Sequence, residues 1–206
     1  AIKSELASSV PGLPQAEPSL KITYVQPKDF TGLLRYVRNI LVVTIDPTAY
    51  TKVSVGYENN VWARGQVVVS LKAPNTESIV EYSKTHEKAL VNFFVKVEMN
   101  RAIEQLQKEY SMVVMDNLKS DLNVMLNAPA NFTYYKDTTD FFWSSNNANT
   151  GRMDLIVYTF PYTDPNTFTE EYLVAKRDSV LKANLPGSFP GSYMQTETRA
   201  GVEYTP

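Results

Sequence analysis

Cysteine is absent from the chain. That absence excludes disulfides, thiolate nucleophiles and most structural zinc sites, but it does not separate the cytosol from a periplasm-facing protein without disulfides. Histidine is nearly as scarce, with His86 the single instance. A zinc hydrolase needs several His or Cys ligands, and His86-Glu87 lacks a second His at the helical spacing that would share a metal. A Ser-His-Asp triad would have to use His86, which falls on the apolar stripe of a predicted helix, and there is no Gly-x-Ser-x-Gly turn to expose a serine. His86 therefore reads as a packed or half-buried helix residue. Only 8 glycines occur, none in the spacing of a phosphate-cradling loop. No cofactor and no metal is implied. Positive charge is also lacking: the formal net charge is -2 and the basic residues are scattered singly, so nucleic acid is not an expected partner. No apolar run approaches the roughly 20 residues that span a bilayer, and the start at Ala1 shows no export-signal pattern.

What is present is a core. Hydrophobic residues make up 43% and charged residues 20%, with 13 Tyr and 9 Phe, which places the 206-residue chain among folded proteins able to build one large domain or two small ones. Ile2, Leu6 and Val10 read as the later part of a helix, so the chain is expected to begin inside an element. Prolines 11, 14 and 18 end it. Alternation over Leu20–Gln26 predicts a strand, Pro27 suits the first position of a helix to about Val37, and Ile40-Leu41-Val42-Val43 predicts a central strand covered on both faces. Residues 51–72 read as a hairpin or a loop and strand. Pro74-Asn75 caps a long helical pattern with a phase slip near Asn100, read as one bent helix or two, and Asp121–Ala128 reads as a strand stopped by Pro129. Strands are predicted at Phe132–Tyr135, Phe141–Ser145, Asp154–Phe160 and Tyr193–Thr198, with a helix between the last two started by the Thr167 to Glu170 capping spacing.

The predicted class is α+β: a mixed, mainly antiparallel sheet with helices packed on it, the first half in ferredoxin-like βαββαβ order. The expected division is a ferredoxin-like half over 1–130 and a second α+β half over 131–206, with one continuous domain as the alternative. Ile22-Thr23-Tyr24 through Arg35 and Ile156-Val157-Tyr158 through Arg177 share a strand, proline, Phe-Thr, helix, arginine order. That echo fits either an internal duplication or a generic strand-to-helix junction.

Chemistry is sparse. Asp137, Asp140, Asp154 and Asp164 fall near strand ends or turns, where a glycosidase-like carboxylate pair could form, but Asp is also the ordinary residue of solvated turns. The most unusual cluster mixes aromatics with charge: Trp143, Tyr158, Tyr162, Tyr172, Arg177, Asp178 and Tyr193. Ligand and protein interfaces favour that combination, so Trp143, Tyr162, Arg177, Asp178 and Tyr193 are the candidate ligand-binding residues; the alternative is a half-buried structural role. No catalytic residue is assigned.

Gly12-Leu13-Pro14-Gln15-Ala16-Glu17-Pro18, Arg38-Asn39-Ile40, Trp62-Ala63 with Gln66, Phe142-Trp143-Ser144, Tyr158 with Phe160-Pro161-Tyr162, Ala175–Ser179 and Gly191–Met194 together resemble an uncharacterised family of Bacteroidetes cell-envelope lipoproteins, domain of unknown function 4837. The resemblance spans nearly the whole chain and carries no biochemical function. It implies a periplasm-facing or surface lipoprotein, with an export signal and an acylated cysteine upstream and further chain downstream. Membrane contact would then be only through that inferred lipid anchor. The function expected on this basis is a non-enzymatic envelope domain with a binding or structural role, its partner an envelope protein or small ligand. The alternative is a carboxylate-dependent hydrolase acting on envelope glycans.

Overall fold

The computed structural model describes residues 2–11, 13, 15–199 and 201. It is α+β, with five helices and two three-stranded sheets among the described residues. Three of the four strand pairings are antiparallel. The chain divides into two compact units, 1–101 and 102–206. The division read from the sequence at 130/131 lies inside the second of these. Gly12 and Pro14 of the early turn fall outside the described residues.

In the first unit, β1 (Asn39–Ile45) and β2 (Ser54–Asn59) flank β3 (Val67–Ala73), which is parallel to β1 and antiparallel to β2. Alternate β3 residues Val67, Val69, Leu71 and Ala73 point to one face, where they meet Ile79 of α2 (Thr76–Thr85), Leu90, Val91 and Phe94 of α3 (Ala89–Lys108), and Leu6 of α1 (Ile2–Leu6). Leu71 is fully buried, and removing a side chain of that size from water contributes about 1.5–3 kcal/mol. The central strand is therefore β3. β1 is an edge whose Val42, Val43 and Ile45 stay exposed, although four apolar residues in a row predicted a covered centre. An uninterrupted apolar run reports burial only if elements lie on both sides, and β1 has a partner on one edge alone.

No strand forms over 20–26, and the helix predicted to follow is replaced by two 3₁₀ turns, Pro27–Asp29 and Gly32–Tyr36. Gly32, at φ +53°, breaks helical phase between them. Leu20 and Ile22 still pack against the core, which explains the alternation without a ladder. The outer strand and first helix of the ferredoxin-like order are thus missing, and with them the first copy of the proposed duplication.

Asn75 caps α2 as predicted, its side chain accepting from Ser78 N at 2.8 Å. The long helical pattern breaks at His86–Lys88, where Lys88 takes φ 60°, and α3 runs through Asn100 without interruption. His86 is exposed rather than packed. It ends α2 and stacks on Tyr82 with ring centroids 4.0 Å apart.

In the second unit, α4 (Met112–Leu122) ends two residues into the segment read as a strand at 121–128. Val114, Leu118 and Leu122 recur every four residues, a helical stripe, and Asn123 stops the helix in the left-handed region at φ 53°. Residues 123–128 follow without strand pairing. The sheet is a meander of β4 (Tyr134–Thr138), β5 (Phe141–Ser145) and β6 (Asp154–Tyr158), with β5 central. One face carries Phe142, Leu155 and Val157 against α4. The other carries Trp143 opposite Lys136 and Ile156, and there Lys136 Nζ donates to Asn184 O at the end of α5 (Glu170–Asn184) at 2.8 Å. Helices thus lie on both faces. Thr169 caps α5 in place of the predicted Thr167, whose hydroxyl donates instead to Asp164 O. The last predicted strand reduces to a single bridge between Pro186 and Tyr193.

Candidate functional site

The candidate residues lie on the α5 side of the second sheet and along the chain that follows β6. Trp143, half-buried on β5, donates its indole N–H to Asp154 Oδ1 at 2.9 Å across the β5–β6 ladder. Arg152 pairs with the same carboxylate at 3.1 Å and lies 5.9 Å from the indole ring. The register explains this trio: β5 and β6 are antiparallel neighbours, so Trp143 and Asp154 share a face on adjacent strands.

Arg177 and Asp178 form a second group. Arg177 Nη1 donates to Thr196 Oγ1 at 2.8 Å and meets Asp178 Oδ1 at 3.4 Å. The same Oδ1 accepts from the Thr196 hydroxyl at 2.6 Å and the Thr196 backbone N–H at 2.9 Å. Burial raises the Asp178 carboxyl, but the Thr196 hydrogen bonds and the Arg177 charge outweigh it, so its pKa lies below the ordinary carboxylate range. This group ties the segment after α5 back onto the helix. Burial pushes the Tyr158 phenol up; Arg177 opposes that shift and Asp178 adds to it, which places Tyr158 within electrostatic reach of the pair.

Tyr193 lies under Lys182, whose ammonium is 5.4 Å from the ring. Its loop depends on Gly187, where a Cβ would meet Ser192 Oγ at 2.3 Å, so the doubled Pro-Gly-Ser sequence makes a tight turn. Tyr162 stands apart at 65% exposed, stacked on Phe168, itself 57% exposed, with centroids 5.4 Å apart. Nearby runs a second aromatic line, Tyr158 to Phe160 to Tyr172, with Lys176 5.1 Å from the Phe160 ring.

The five candidates are thus dispersed into Trp143 with Asp154, Arg177 with Asp178, Tyr193 with Lys182, and Tyr162 with Phe168. None lines the narrow cleft between α4 and β5, which has no room for a water molecule, or the open groove of about 260 Å³ along β2.

Sequence reasoning missed two arrangements. Asp121, at the end of α4, meets Asp137 of β4 beside the narrow cleft; burial first, then the hydrogen bond and charge of Asp121, push the Asp137 carboxyl above its usual range. Asp140 meets Thr159 and Asp154 meets Trp143, so the acids singled out along the chain do not pair with one another in these contacts. In the first unit Gln66, buried, donates to the carbonyls of Arg35 and Val37 and accepts from Trp62 N, while Arg101 bridges Glu98, Asn39 and the carbonyls of Arg38 and Gly65. The signal for that network was a glutamine beginning a run of valines, a polar group that must be satisfied if buried. Among the described residues there is no group of three or more His, Asp or Glu able to hold a metal ion, and no helix long and apolar enough to cross a membrane.

These features define a two-unit α+β protein whose candidate residues are each held by a different neighbouring side chain. The chain belongs to the family described as Domain of unknown function (DUF8532), whose model matches residues 1–107. Residues 111–206 match Domain of unknown function (DUF4837). The resemblance drawn from the sequence is thereby supported for the later motifs, whereas Arg38-Asn39-Ile40 and Trp62 with Gln66 fall in the other model. No curated protein and no solved structure matches the chain.

Proposed function

We propose that the protein is a non-enzymatic domain of a cell-envelope lipoprotein, and that its second unit binds a partner protein through the aromatic surface around Tyr162. The observation that carries this reading is the Tyr162–Phe168 stack, two large rings left in water although the same unit buries Phe132, Phe141 and Phe142. Tyrosine and phenylalanine in that setting lose little side-chain freedom on binding and bring large apolar area to an interface. Trp143, Arg177 and Asp178 then serve to hold the sheet, α5 and the following segment in place beneath it. The envelope location is supported by the lipoprotein resemblance.

One observation favours the hydrolase alternative, the Asp121–Asp137 carboxyl pair. Against it, the cleft beside them has no room for the water molecule that glycoside hydrolysis consumes.

A photo-cross-linking amino acid replacing Tyr162 in the native protein, irradiated in intact cells, tests the binding reading. The expected result is one discrete adduct that is lost when Phe168→Ala is added. No adduct, or an equal adduct from the exposed Lys119 position of the same unit, would overturn it.

A further inference from the structure

The β2 edge of the first sheet is open and carries its own complement. All six residues of Ser54–Asn59 are exposed, with Val55 41% and Tyr57 59% exposed despite their apolar bulk. The strand has no proline, and an added Cβ at Gly56 would meet nothing within 4 Å. Edges of this kind pair with other strands unless they are blunted.

Hydrogen-bond parity fixes which groups are free to pair. Asn60 N donates to Gln66 O at 2.8 Å, so the residues of β2 bonded to β3 are the even ones, 54, 56 and 58. The amides and carbonyls of Val55, Tyr57 and Asn59 therefore turn outward. Charge fixes the register. Glu58 lies on the even face of the strand and Lys52 lies in the bend two residues before it, and neither has an ion-pair partner among the described residues; extension of 51–53 on pairing would bring Lys52 to the same face.

We propose that β2 is a self-association edge, pairing antiparallel with β2 of a second copy about a two-fold axis at Val55. In that register Val55 faces Val55 of the other copy as a hydrogen-bonded pair, Ser54 faces Gly56, and Lys52 faces Glu58 twice. A shift of one two-residue step places Glu58 opposite Ser54 or Tyr50 and loses both charge pairs. The outcome is a continuous six-stranded sheet, with the groove over Gly56 filled by Ser54 of the other copy.

The test is sedimentation equilibrium of the chain over a concentration series. A reversible dimer is expected, weakened about tenfold by Lys52→Glu or Glu58→Lys alone and restored in the double swap. A monomer at every concentration or a dimer indifferent to the charge swaps would overturn the proposal. So would a chain that binds only unrelated extended peptides at this edge.

Discussion

Asp137 is one of four acids that the sequence places near strand ends or turns, and the carboxylate that acts on it is none of the other three. Its place at a strand end suggests a carboxylate partner from another turn, yet the partner is Asp121 from the last turn of α4, where the alternation predicted the start of a strand. A folded-state pKa raised above the unfolded value means that the folded chain holds its proton more tightly. Stability contributed this way is present at low pH and is lost as pH rises from the ordinary carboxylate range through the raised pKa. Asp137→Asn should therefore raise the melting temperature near neutral pH, and the gain should shrink towards zero in acid. A calorimetric pH series checks this; a variant that melts lower at neutral pH would show that the carboxylate is needed in its charged form. Trp143, Arg177 and Asp178 were legible as a coherent group of residue types, because aromatics and arginine clustered late in the chain. Which partner each takes was not legible, since Asp154 and Thr196 are set by strand register and by a returning loop.

At the scale of elements, the sequence revealed those that announce themselves by local chemistry. Asn75 capped its helix, the β2–β3 hairpin formed around Asn59-Asn60, and β4, β5 and β6 appeared within a few residues of their predicted positions. The failures share a cause. Leu20–Gln26 and Asp121–Ala128 both alternate, but alternation describes a half-buried segment, and a strand also needs a neighbour to take its backbone hydrogen bonds. The α4 start has such an anchor. Ser111, buried, accepts from Val114 N at 3.3 Å, donates its hydroxyl to Phe132 O at 2.6 Å, and its backbone N–H donates to Ala128 O. Ser111→Ala removes the cap and leaves the Phe132 carbonyl without that bond. The expected loss is about 2 kcal/mol, read as a lower denaturation midpoint at unchanged slope.

For the molecule as a whole, the two compact units and the two family models divide the chain within a few residues of one another, at 101/102 and between 107 and 111. The α+β class was legible because strands and helices of ordinary length alternate without long repeats. The division read from the sequence, at 130/131, falls later because it follows the strand expected over 121–128. Function is the least legible scale, because the side chains with chemistry to offer are spent on internal bonds. What remains for recognition in the second unit is surface. The most direct check of that claim is the melting temperature of Tyr162→Ala/Phe168→Ala measured beside the parent. If the stack is a binding surface, the double variant melts within about 2 °C of the parent. A fall of about 8 °C or more, as for truncating buried rings, would show the pair to be core and contradict the account.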